Sequence, residues 1–197
     1  LNQKICEYGK KHKIKNSYTA TFVKANNEKD LSLYEAIVYN TAAAIDARMA
    51  GVSLPVMTTY GSGDHGLTAS IPQFVYHKYV KNDKVTFLRG LLLSNLLVWK
   101  IKSNIGNLSC LCGSVVSATT ATICAIAYQK GHSAKQITNL MEALLCTFNC
   151  TMCDGAKLSC THKVATALMS GLHLIDMVKD GYRIEPLNGI IAGDVDK

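Results

Sequence analysis

The chain has 197 residues, of which 48% are hydrophobic and only 7% aromatic, and a formal net charge of +7 at pH 7. That length suits one domain, or one and a small appendage, with room for a sizeable core, and the apolar content with three prolines argues for an ordered, helix-rich body. Much of the charge lies on Lys4, Lys10, Lys11, Lys13, Lys15 and Lys24, which have no aromatic interleaving or nucleic-acid motif beside them and read as a solvated surface. The same balance favours a small anionic substrate.

The first residue is Leu1 and nothing near it resembles a signal peptide, so the expectation is a piece of a longer, cytoplasmic protein. Eight cysteines in a reducing compartment are then thiols rather than a disulfide framework.

Residues 1–12 suit a short helix, and KIKNSYTATFVKANN, without a clear period, reads as loop or short strand. Residues 1–26 are accordingly assigned to an N-terminal helix and loop segment, and 27–197 to a helical body. From Leu31 to Met49, Leu33, Ile37, Ala44 and Ile45 recur at helical spacing, Asp46 and Arg48 fall near the helix end, and Gly51 offers a stop.

Residues 51–71 are expected as a loop, in which Gly61, Gly63 and Gly66 match G-x-G-x-x-G. A dinucleotide site needs a buried strand before this pattern and a helix opening within it, and Pro55 and Pro72 argue against both. A plain turn and an anion-binding nest remain, the latter with Ser62 and His65 as side-chain donors.

Pro72 is well placed to open a short helix through Val80. A second helix is predicted over Val85–Ile101, with Leu88, Leu91, Leu92, Leu96 and Trp99 as its apolar face. The uncharged run from Ser103 to Gln129 is long enough to span a bilayer, but its Ser, Thr, Gly and Ala content and amphipathic flanks predict a buried central helix instead, ended by Gly131 and His132.

A further helix over Ala134–Thr147 turns Ile137, Leu140, Met141, Leu144 and Leu145 inward. After a break at Asp154 and Gly155, a last helix runs towards Asp180, with Asp154 as N-cap, Cys160 in its opening turns and Val164, Ala167 and Gly171 on one face. The tail from Gly181 is turn-rich with one short strand. The fold class is mainly α, a helical bundle around a buried central helix with minor short strands.

Five of the eight cysteines fall in two groups, Cys110 and Cys112, then Cys150, Cys153 and Cys160. Packing explains Cys6, Cys124 and Cys146 as small buried hydrophobes. For the others, Cys110-x-Cys112 with Cys150-x-x-Cys153 suits a closed zinc site, and three thiolates suit an iron–sulfur cluster with one open, Lewis-acidic iron. Spacing does not choose between zinc and iron.

The segments TAAAIDARMAGVSLPVM, GSGDHG, IKSNIGNLSCLCG and MCDGAKLSCTHKVAT, in this order, resemble the family of L-cysteine desulfidases and serine dehydratase alpha-subunit-like proteins, from about Glu28 to Lys197. The resemblance implies an oxygen-sensitive lyase with a 4Fe-4S cluster on three cysteines, converting cysteine or serine to pyruvate and ammonia with sulfide or water leaving. Its ligand positions fall on Cys112, Cys153 and Cys160, with Cys110 and Cys150 as non-ligands. The substrate carboxylate is expected at Ser62, Gly63, Asp64 and His65, with Arg48 as a second candidate.

Chains of that family are about twice as long, so a missing N-terminal domain of the same protein is expected to supply the proton-abstracting base and the fragment alone to be inactive. Relatives commonly carry Asn where this chain has Asp64, and a carboxylate there repels a substrate carboxylate unless it is paired. Expected partners are a small amino-acid substrate, that missing domain and, in a homo-oligomer, further copies, with no nucleic acid and no membrane. The alternative from another class is a zinc-stabilised helical binding module without catalysis.

Overall fold

A computed structural model describes residues 1–12 and 14–185, and these form a bundle of eight helices whose only extended pairing is two isolated bridges. The mainly α architecture expected from periodicity is what the chain adopts. Helix α1 (Asn2–His12) lies against α3 (Leu33–Met49) and buries Ile5 and Cys6 in the main core. Helix α3 opens on a capping box, Ser32 with Glu35, and gives way to Gly51 at φ 80°. Its residues Ala36 to Ala47 are buried except Asn40, because α1, α4 and α8 cover it from several sides.

Between them stands a helix where a loop or strand is expected, α2 (Tyr18–Ala25). Eight residues are too few to show a period, and tertiary partners hold what propensity does not. The Ser17 hydroxyl caps Ala20 N–H at 3.1 Å, and Thr19 N–H donates to the buried Asp46 of α3 at 2.9 Å.

Helix α4 (Gly63–Val80) starts nine residues before the proline expected to open it. Pro72 therefore sits inside the helix and leaves the Thr68 carbonyl without its usual partner. Burial of Leu67, Ala69, Ile71 and Gln73 offsets that loss.

Helix α5 (Lys84–Ile105) is capped by Asp83. The face it buries is Phe87, Gly90, Ser94, Val98 and Ile101, whereas the leucine face, Leu88, Leu92, Leu96 and Trp99, is turned to solvent with Leu91 half-buried. Small residues decide this orientation. Gly90 lies against Gln129, and Ser94 donates to the Ala69 carbonyl at 2.8 Å.

The central helix is a π-helical turn, Ser114–Thr119, running into α6 (Thr120–Gln129), with every residue from Cys112 to Ala127 buried. It begins later than the uncharged run suggests, because residues 103–105 still belong to α5. Helix α7 (Ala134–Phe148) carries a second capping box, Ser133 with Gln136, and buries Leu140 and Leu144.

Helix α8 (Ser159–Lys179) buries Val164, Ala167 and Gly171, as expected. It does not use Asp154 as its cap: that carboxylate instead pairs with Lys163 at 2.5 Å. The strand expected in the tail lies, beyond Glu185, outside the described residues. None of the described helices is long and apolar enough to cross a membrane.

Candidate functional site

The main chain clips the two thiol-bearing segments together. Leu111 and Met152 form an antiparallel bridge in which Cys112 N–H donates to Thr151 O and Cys153 N–H to Cys110 O, both at 2.8 Å. Cys112 and Cys153 thus become neighbours although α6 and α7 lie between them in sequence.

Cys160 stands in the first turn of α8, packed against the core that contains Cys112, with its Sγ 3.4 Å from Gly155 O. The three thiols are within electrostatic reach of one another: burial raises the Cys112 pKa, and charge on Cys153 and Cys160 raises it further. Cys112 is buried, Cys160 half-buried and Cys153 exposed.

Two cations flank this set. Lys102 is only 2% exposed, its pKa lowered by burial and drawn back up by Cys153 and Cys112. Lys163 is held charged first by its hydrogen bond to Asp154, with Cys112 and Cys160 adding to the effect. Other thiols have a different setting: burial pushes Cys6 and Cys124 up to about 12, as inert core groups. Cys146 is half-buried, and Cys110 and Cys150 are exposed.

The glycine loop is a tight turn feeding a helix. Tyr60 at φ 48° and Gly61 at φ 76° form the two-residue turn, closed by Thr59 N–H to Ser62 O at 3.1 Å and Ser62 N–H to Thr59 O at 3.2 Å. Gly63, Asp64 and His65 then make up the first turn of α4, whose N-terminal N–H groups and dipole favour an anion. The Ser62 side chain makes no capping bond, so the helix does not use its hydroxyl.

His65 packs on Gly113, the residue after Cys112: a Cβ at Gly113 would stand 2.3 Å from His65 Nε2. Burial, reinforced by the nearby Lys102 charge and partly offset by a backbone hydrogen bond with Thr59, pushes His65 down to about 4, which leaves a neutral imidazole. Asp64 and Arg48 hold each other at 2.8 Å. Burial raises the Asp64 carboxyl pKa and the guanidinium pulls it back. The carboxylate that would repel a substrate is therefore paired, and Arg48 is engaged in pairing it.

One cleft of about 490 Å³ gathers these parts. Tyr60, Gly61, Ser62 and His65 line it together with Lys102, Asn107, Leu108 and Ser109 and with Leu111, Gly113 and Cys153. Of the expected site residues, the cleft brings Ser62 and His65 to Cys153. Cys112, Cys160, Gly63, Asp64 and Arg48 are not on the cleft wall. Sequence reasoning missed Lys102. A signal was present, since Ser94, Val98 and Lys102 follow one another every fourth residue and so share the buried face of α5.

Among the described residues no three His, Cys, Asp or Glu side chains stand close enough to hold a single metal ion. An iron–sulfur cluster takes its thiolates on separate irons and accepts a wider set. The backbone bridge that sets Cys112 beside Cys153, with Cys160 packed against the core containing Cys112, supplies a donor set of three thiols of the kind such a group takes.

The model of the serine dehydratase alpha chain family matches residues 2–197. A UPF0597 protein of Clostridioides difficile is 35% identical over 200 residues, covering 100% of this chain and 47% of that protein. One of Treponema denticola is 38% identical over 198 residues, with 100% and 46% covered. One of Bacteroides fragilis is 37% identical over 166 residues, with 84% and 39% covered. The chain thus spans about half the length of the curated relatives it matches, or less. No solved structure matches it.

Proposed function

Because the chain belongs to the serine dehydratase alpha chain family, we propose that it is the cluster-binding portion of an iron–sulfur-dependent lyase, one that eliminates water from L-serine or sulfide from L-cysteine. Membership supports a lyase role in amino-acid breakdown. The observation that carries the finer reading is the cleft in which Cys153, the first turn of α4 and Lys102 meet.

Cys112, Cys153 and Cys160 hold a 4Fe-4S cluster in this reading. When bound, the cluster supplies a Lewis-acidic iron for the hydroxyl or thiol that leaves. The substrate carboxylate lies between the N-terminal end of α4, the Ser62 hydroxyl and the Lys102 ammonium, where a helix dipole and a cation both favour an anion. His65, neutral in its buried position, steadies the substrate by one hydrogen bond without adding charge. The Asp64–Arg48 pair braces the turn from behind.

Elimination removes the α-proton, breaks the Cβ–O or Cβ–S bond and leaves an aminoacrylate. Its imine tautomer takes up water to give pyruvate and ammonia. The base that takes the α-proton comes, in this proposal, from the part of the longer protein that this chain does not span, where it reaches the open side of the cleft.

Anaerobic reconstitution with iron and sulfide tests the reading. The parent chain is expected to gain iron, acid-labile sulfide and visible absorption. Cys112→Ser, Cys153→Ser and Cys160→Ser should each lose most of all three, and Cys110→Ser and Cys124→Ala should keep them. Stoichiometric zinc without sulfide in the parent chain would sink the cluster and leave the zinc-stabilised binding module.

A further inference from the structure

The outer face of α5 is apolar along its length. Val85, Leu88, Leu92, Leu96 and Trp99 follow one another at three- or four-residue steps and are 56%, 47%, 59%, 57% and 62% exposed. From Val85 to Trp99 the line is about 21 Å long. Single exposed leucines are ordinary on a protein surface, but five large side chains in one continuous line mark a surface that another body covers.

Two observations restrict what that body is. At the C-terminal end of the line, Trp99 meets Tyr60 edge-on with ring centroids 6.2 Å apart, and Tyr60 is part of the cleft wall. Leu108, 99% exposed, lines the same cleft. The apolar line thus runs onto the rim of the cleft, and a body seated on it overhangs the open side. Charge is the second restriction. While Lys102 lies on its buried face, α5 carries Lys84 and Arg89 and no acidic residue on its exposed side. A second copy laid along the same line would set these basic residues against their own kind, whereas an acidic rim would complement them.

We propose that the outer line of α5 docks the portion of the longer protein that the relatives carry and this chain does not span, through a face apolar at its centre and acidic at its rim. The relatives have that portion to spare, since this chain matches only about half of their length. The placement extends the functional reading by putting that portion over the cleft, yet the docking itself requires no cluster.

The test uses the full-length Clostridioides difficile relative with a benzoylphenylalanine photo-crosslinker at the position aligned with Leu96. The expected product is an intrachain crosslink into the part of that protein that does not align with this chain, in an Asp- and Glu-rich peptide. The same probe at the position aligned with Met169, exposed on α8 away from the line, should give none. A crosslink between two copies, or none above the control, overturns the proposal.

Sedimentation of the 197-residue chain gives an independent reading. A monomer is expected, and a dimer that Leu92→Lys dissolves would overturn the proposal in favour of a second copy. Neither measurement uses iron, so a chain that fails to bind a cluster but crosslinks as expected would sink only the functional reading.

Discussion

At the C-terminal end of α6, Gln129 donates to Gln73 at 2.5 Å and accepts from Asn82 at 2.8 Å, Lys130 pairs with Asp176 at 2.6 Å, and His132 donates to the Ile175 carbonyl at 2.9 Å. Around its N-terminal end, the hydroxyls of Thr68 and Thr120 are buried with no hydrogen-bond partner. The Thr161 hydroxyl, beside Cys160, is in the same state. Buried polar groups in proteins are almost always paired, so the contrast separates an end built for stability from an end that leaves donors and acceptors uncommitted. The cleft, the π-helical turn and the thiols all lie at the second end, and π-helical turns are frequent at functional sites.

The largest effect that distinguishes the ends is expected at Gln73. Its amide donates to Thr122 O at 2.9 Å and to the Thr122 hydroxyl at 2.7 Å, so Gln73→Ala strands the buried Thr122 groups and the half-buried Gln129 amide. A loss of about 2–3 kcal/mol in urea unfolding is expected. A loss below about 0.5 kcal/mol would mean that the closed end is not held by this network.

At the cleft end, Thr120→Val should do the opposite. It removes a hydroxyl that has no partner and keeps the side-chain shape, so stability should hold or rise by about 0.5–1 kcal/mol. A drop above about 1 kcal/mol would show that the hydroxyl is satisfied and would break the contrast.

The smallest effect belongs to Asp176, whose carboxyl is held below the usual range first by its hydrogen bond to Lys130. A depressed folded-state pKa adds stability above the ordinary carboxylate value, and that stability disappears as pH falls through the folded value. Asp176→Asn should therefore lose a few tenths of a kcal/mol at neutral pH, since the side chain is 56% exposed. The difference should fade below about pH 4. Melting temperatures of both chains across that range check it, and a gap that persists in acid would assign the loss to packing.

Where sequence and structure agree, a local signal had a local cause. Ser32 with Glu35 and Ser133 with Gln136 open α3 and α7, and Gly51 closes α3. Disagreement arises where a distant partner decides. Helix α2 depends on an aspartate 27 residues away, α4 runs through a proline because its flanks are buried, and α5 turns its leucines outward because a glycine and a serine pack better.

The site divides in the same way. The glycine loop and the cysteine groups stand out in the sequence as motifs, whereas their meeting in one cleft depends on a backbone bridge that no motif encodes. Lys102 belongs to no motif: a lysine in an apolar helix looks like a surface residue, and its burial follows only from the register of α5. The Asp64–Arg48 pair joins two residues that had each been assigned to the substrate.

The bridge between Leu111 and Met152 has a mechanical consequence. Its two ends are about forty residues apart in the chain, and everything between them, the π-helical turn, α6 and α7, is an excursion tied off at its root. Because the tie is made by peptide groups, it requires no particular side chain at Leu111 or Met152. A turn lengthened at Gly131, at the far end of that excursion, would enlarge the loop without touching the peptide groups that close it.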